Sequence, residues 1–226
     1  MRVNRTGVIA GVVYLAAGVL WTWLAGAPWW TAALFVVIAV GGAFIPGAAN
    51  HVSLARAYLA APSAYYATQG QYGALAVTVA IAGLSDLVDG TVARRVGSPT
   101  NFGGGLDPVV DGIFLGALAF GLALGGAFPL WLALVVLARY VLPAVAGAVL
   151  IAMGRRPELR HTLTGQISTT LNLTLVGGVA LLRGLGIDPG NLVIGAEIVL
   201  PIATLATFVH LGFALRRPAV AATGDA

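Results

Sequence analysis

Nearly every stretch of about twenty residues in this chain is apolar, and the few charges fall at the seams between the stretches. The apolar runs occupy residues 7–25, 31–44, 50–68, 73–92, 107–125, 130–153 and 191–215, and another opens at Thr164. A helix needs about 20 such residues to cross a bilayer core, and lipid offers no partner to an unpaired backbone amide. The pattern therefore predicts an all-α, polytopic membrane protein of about eight transmembrane helices. With 59% hydrophobic and 9% charged residues, the chain lies far from a soluble domain, in which about a quarter of residues are charged. It has no cysteine, which excludes a disulfide framework and a thiolate site. The basic residues are arginines dispersed among apolar spans, an arrangement that argues against nucleic acid as a partner.

Arginines also set the orientation, because positive residues of short loops stay on the cytoplasmic side. Counting spans from the N-terminus puts Arg2, Arg5, Arg94, Arg95, Arg155, Arg156, Arg160, Arg216 and Arg217 inside and Arg183 outside. Both termini are then cytoplasmic. The first apolar run exceeds the ~7–15 residues of a signal-peptide core, so it is expected to be an uncleaved span despite the small residues Ala25-Gly26-Ala27. Trp29 and Trp30 follow at a membrane-interface position.

Half of the eight acidic residues lie between Asp86 and Asp111. Charges at membrane depth are costly and usually functional. On a helix, Asp86, Asp89, Gly90 and Ala93 share one face, and so do Asp107 and Asp111 at i and i+4. If the two helices converge near the membrane surface, four carboxylates meet at one point, which requires cations. All-oxygen ligands favour a hard ion such as Mg²⁺ or Mn²⁺. Two such ions can clamp the attacking and leaving oxygens of a phosphoryl group. Arg94 can contact a phosphate bidentately, and Gly90, Gly103, Gly104 and Gly105 permit close approach of a nucleotide.

The run Asp86-x2-Asp89-Gly90-x2-Ala93-Arg94-x8-Gly103-x3-Asp107-x3-Asp111 resembles the signature of the CDP-alcohol phosphotransferases at all eight fixed positions. The resemblance covers residues 50–217, preceded by two additional helices within residues 1–49 and followed by a tail at 218–226. It implies transfer of a substituted phosphate from a CDP-linked donor, usually CDP-diacylglycerol, to an alcohol hydroxyl, with release of CMP, in phospholipid biosynthesis. It also implies Asp86, Asp89, Asp107 and Asp111 as ligands of two Mg²⁺ or Mn²⁺ ions, and Asp111 as the general base. Asp86, Gly90, Ala93, Arg94 and Gly103 would border the CDP moiety, with the site facing the cytoplasm.

Further positions resemble the phosphatidylglycerophosphate and cardiolipin synthase branch. Asn50, Ser53 and Arg56 are similar to an Asn, hydroxyl and Arg series near the start of the family's first helix. Arg139 lies too deep to face lipid cheaply and is expected in a polar cavity, with a structural salt bridge as the alternative. Arg155 lies in an inner basic loop where an anionic acceptor would arrive. Thr164-Gly165-Gln166-Ile167-Ser168-Thr169 resembles a Gly-Lys-x-x-Thr segment, but Gln166 replaces the Lys and lacks its point charge. Arg56, Arg139, Arg155 and Gln166 are thus the candidate acceptor or phosphate contacts, and the acceptor alcohol stays open. Gly112, Gly116, Gly121 and Gly125 form Gly-x3-Gly pairs that suit either a homodimer or packing within the chain. A cation-coupled transporter is the rival reading. It would place its acids near the midplane in repeated halves, whereas these cluster at one cytoplasmic end.

Overall fold

The computed structural model describes residues 3–45, 47–96, 103–153 and 163–216. The apolar runs become eight α-helices among them: α1 (Arg5–Leu24), α2 (Trp29–Gly42), α3 (Ala48–Thr68), α4 (Tyr72–Val96), α5 (Gly103–Leu124), α6 (Leu130–Ala152), α7 (Leu163–Gly184) and α8 (Gly190–Arg216). No strand occurs in the described residues. Among the described residues, five helices are long and apolar enough to cross a membrane: α1, α5, α6, α7 and α8. This is a polytopic, all-α membrane protein.

The four turns predicted on the outer side share one construction. Gly26, Gly70, Gly126 and Gly186 all adopt positive φ, the left-handed conformation that closes a helix without a Cβ clash. The residue after each glycine then donates its amide back across the turn, as Ala27 does to Thr22 and Ala127 to Leu122. The chain thus reverses direction within a few residues, which keeps consecutive helices close.

Three helix ends depart from expectation. The first is that of α4, which was expected to end near residue 92 with Arg94 and Arg95 in the connection and instead continues through both to Val96. The glycine triplet at 103–105, expected to break regular structure, forms the first turn of α5. Glycine costs only about 1 kcal/mol per helical position, a penalty that tertiary packing of the rest of α5 overrides. Arg183, expected in the outer turn, lies in the last turn of α7, where a cation suits the helix dipole.

Helix α3 is the axis of the arrangement, packing against α1, α2, α4 and α5. That placement explains why it is absent from the apolar spans. Its N-terminal half carries Asn50, His51, Ser53 and Arg56, all buried, so its polar residues face protein rather than lipid. The remaining main contacts join α1 to α2, α4 to α7, α5 to α6 and α7, and α8 to α6 and α7. A large apolar core fills this bundle, with Phe114, Leu118, Leu122, Leu132, Val136 and Leu200 among its buried side chains. The outward faces are also apolar: Ile194, Ile198, Ile202, Leu205 and Val209 form an exposed stripe along α8. Their spacing is helical, as expected for a face covered by lipid.

The glycines of α5 are spent inside the chain. A Cβ on Gly121 would lie 2.8 Å from Ala64 Cα of α3, and one on Gly112 would lie 2.7 Å from Tyr140 Cβ of α6. Gly125 meets Ala67 of α3, and Gly116 faces Leu137 of α6. Of the two uses expected for the Gly-x3-Gly pairs, packing within the chain is therefore the one realised. These glycines let α3 and α6 close on α5, and the α3–α5 approach brings Arg56 to Asp111.

Candidate active site

Asp107 and Asp111 lie on one face of α5, in its first turns, and both are partly buried. Asp86, Asp89, Gly90, Ala93 and Arg94 lie on the C-terminal part of α4, and their side chains fall outside the described residues. Gly103 opens α5. Arg155 lies outside the described residues, as does the side chain of Gln166, whose backbone belongs to the first turn of α7.

Arg56 of α3 donates from Nη1 to Asp111 Oδ1 at 2.5 Å, with side-chain exposures of 7% and 16%. Sequence reasoning offered Arg56 as an acceptor contact; the structure gives it a carboxylate of the acidic motif. The pair is possible because α3 and α5 both enter from the same side, with Arg56 and Asp111 each eight residues beyond the first residue of its helix. At 1.5 Å per residue this is about 12 Å of depth on both. Asn50, Ser53 and Arg56 follow one another at intervals of three, and all are buried. They form a polar stripe whose periodicity was visible in the sequence, although only Arg56 stood out by its charge.

Arg139 is 5% exposed and has hydroxyl and carbonyl partners in place of an acid. Its Nε donates to Ser168 Oγ at 2.7 Å, while Nη2 donates to Gly165 O and Thr169 Oγ1, both at 3.0 Å. The guanidinium also sits 4.6 Å from the centre of the Tyr140 ring, within cation–π range. Among the described residues these polar groups, and no acid, surround the guanidinium, and through them Arg139 fastens α6 to the N-terminal end of α7, the stretch that carries Gln166. Sequence reasoning missed Tyr140, which the absence of a Cβ on Gly112 allows against α5. It also missed Asn172, fully buried, whose amide donates to Ser168 O at 2.7 Å while its Oδ1 has no hydrogen-bond partner among the described residues. Ser168 and Asn172 at i and i+4 were a readable signal of a polar face on α7.

Among the described residues no three metal-ligating side chains are gathered at one point. Asp107 and Asp111 supply two carboxylates on one helix face, and the α4 sequence holds two more, Asp86 and Asp89. Carboxylate oxygens with no Cys or His on these segments suit Mg²⁺ or Mn²⁺. The donor chemistry fits such an ion.

Residues 47–210 match the family described as CDP-alcohol phosphatidyltransferase. A "Probable cardiolipin synthase (CMP-forming)" of Drosophila melanogaster is 31% identical over 144 residues, covering 57% of this chain and 45% of the relative. A "CDP-diacylglycerol--glycerol-3-phosphate 3-phosphatidyltransferase" of Bacillus subtilis is 31% identical over 106 residues, 47% of this chain and 54% of the relative. A "Probable phosphatidylglycerophosphate synthase" of Mycobacterium tuberculosis is 28% identical over 130 residues, 58% of each chain. The chain spans about half the length of the curated relatives it matches. No solved structure matches it. With the acidic motif and its helices inside the matched region, and that region covering more than half of the sequence, the chain belongs to the CDP-alcohol phosphatidyltransferase family.

Proposed function

We propose that this protein is an integral-membrane transferase that moves a phosphatidyl group from CDP-diacylglycerol to an alcohol hydroxyl and releases CMP. The observation that carries the reading is Asp111, held by Arg56 on the polar face of α5 one turn beyond Asp107, inside the region that matches the family. The relatives' names specify CDP-diacylglycerol as donor and glycerol 3-phosphate as one acceptor, or CMP as product.

In this mechanism the acceptor oxygen forms a bond to the phosphatidyl phosphorus, the bond from that phosphorus to the bridging oxygen breaks, and CMP leaves with the electron pair. The acceptor proton passes to the Asp111 carboxylate. Asp86, Asp89, Asp107 and Asp111 would hold Mg²⁺ or Mn²⁺, which when bound neutralises charge on the phosphates. Arg94 binds donor phosphate, and Gly90, Ala93 and Gly103 leave room for the cytidine nucleotide. Arg56 orients Asp111, fixing the carboxylate toward the acceptor. The acceptor side is formed by the inner ends of α6 and α7, where Arg139 fixes Ser168 and Thr169, and Arg155 and Gln166 complete the approach. The buried Asn172 Oδ1 lacks a donor among the described residues, and an acceptor hydroxyl would supply one at little cost.

Both termini and the site face the cytoplasm in this reading, with α1 and α2 preceding a six-helix unit. Lipid donor reaches the site sideways between helices. The test is purified protein incubated with CDP-diacylglycerol, Mg²⁺ and a panel of alcohols including glycerol 3-phosphate and phosphatidylglycerol, scored for CMP. Alcohol-dependent CMP release supports the reading, and its absence across the panel contradicts it.

A further inference from the structure

Two aromatic pairs join α1 to α3, the helix that carries Arg56, with the same spacing on both helices. Tyr14 and Trp21 lie seven residues apart on α1, as do Tyr58 and Tyr65 on α3. Tyr14 stacks on Tyr58 with ring centroids 4.7 Å apart, and Trp21 meets Tyr65 edge-on at 5.8 Å. Equal offsets mean that α1 and α3 run parallel, and seven residues, about two turns, return each helix to the same face. Phe35 of α2 lies 6.1 Å from Tyr58 and 5.9 Å from Trp21, so it fills the ladder between its two rungs.

Hydrogen bonds reinforce each end. At the outer end Trp21 Nε1 donates to Tyr66 Oη at 2.6 Å, and Tyr65 Oη donates to Ala25 O at 3.1 Å. At the inner end Tyr14 Oη donates to His51 O at 3.3 Å. In lipid, simple apolar contact gives helices little reason to associate, because the acyl chains offer the same contact. Specific ring pairs and hydrogen bonds are what can seat α1 against α3.

The inner rung ends beside the site. Tyr58 is two residues beyond Arg56 and belongs to a buried cluster with Leu54, Ala57 and Val110. Val110 immediately precedes Asp111. We propose that the α1–α2 hairpin is a positioning brace: through Tyr14 and Tyr58 it fixes the inner half of α3 and so the presentation of Arg56 to Asp111. The brace rests on the transferase reading only where activity is the readout.

The experiment is a cycle of wild type, Tyr14→Leu, Arg56→Ala and the double variant in the full chain, with Tyr14→Phe as control. Tyr14→Met replaces Tyr14→Leu, and Arg56→Lys replaces Arg56→Ala, where the first choice does not fold. Tyr14→Phe keeps the ring and should stay within about twofold of wild-type CMP release, while Tyr14→Leu falls about fivefold with donor KM nearly unchanged. The Tyr14→Leu loss should disappear when Arg56 is already absent. Additive losses, or wild-type turnover by Tyr14→Leu, would overturn the brace. Unfolding midpoints of the same four proteins in detergent read the Tyr14–Arg56 coupling without any turnover. If wild type releases no CMP, the transferase reading fails and the midpoints decide the brace alone: coupling supports it and additivity overturns it.

Discussion

Arg56 and Asp111, 55 residues apart in sequence, meet in the bundle interior as a 2.5 Å ion pair between α3 and α5. Breaking a buried pair from one side costs up to about 3–5 kcal/mol, because the remaining charge loses one of its partners. Arg56→Ala should therefore lower the unfolding midpoint in detergent markedly, and Arg56→Lys should lower it less. A wild-type midpoint for Arg56→Ala would show that the pair contributes nothing to the fold.

Gly121 tests whether close α3–α5 packing reaches the site. Its absent Cβ would lie 2.8 Å from Ala64 Cα and 2.9 Å from Ala64 O, both backbone atoms that cannot rotate away. Gly121→Val should cost about 1–3 kcal/mol through overpacking and reduce CMP release, although Gly121 is far along α5 from Asp111. Gly195→Ala, with open space around its position, should be neutral or stabilise α8 by up to about 1 kcal/mol. Unfolding midpoints and CMP release measured on both variants check the contrast, and equal behaviour of the two would count against it.

Arg139 holds the N-terminal end of α7 through three hydrogen bonds. Lysine cannot reproduce the guanidinium fork, so Arg139→Lys should speed amide exchange over residues 165–169 by about tenfold. Hydrogen exchange by mass spectrometry measures this. Unchanged exchange would leave Arg139 as a direct substrate contact instead.

How far the sequence could be read depended on the range of each interaction. The apolar runs marked helices such as α6 and α8 to within a residue or two, because hydropathy and turn residues are local signals. The acidic motif was legible for the same reason: Asp107 and Asp111 are neighbours on one helix face by spacing alone. The partnership of Arg56 with Asp111 was not, since it depends on the depth at which α3 and α5 pass each other. The partners of Arg139 were hidden for a related reason. A buried charge suggests a countercharge or water, yet Ser168, Thr169 and the Gly165 carbonyl, neutral groups on a helix that a linear reading cannot place nearby, satisfy it. Tyr14 and Trp21 carried a usable signal in their seven-residue spacing, repeated by Tyr58 and Tyr65, but only packing shows that the two spacings belong together.

An all-carboxylate ligand set predicts strict dependence on a hard divalent ion. EDTA should abolish CMP release, and Mg²⁺ or Mn²⁺ should restore it. Asp107→Asn should require a higher metal concentration for half-maximal activity. Undiminished turnover in EDTA would remove the metals from the account.

Asp111 carries the central claim, because the same carboxylate is assigned to Arg56, to the metal set and to the acceptor proton. The most direct measurement is single-turnover CMP release by Asp111→Asn, alongside donor binding read by CMP competition and an unfolding midpoint that confirms the variant is folded. Loss of a general base typically costs about 10²–10⁴ in rate. The account predicts a fall of at least about a hundredfold in turnover with donor binding within a few-fold of wild type; turnover close to wild type in the folded variant would contradict it.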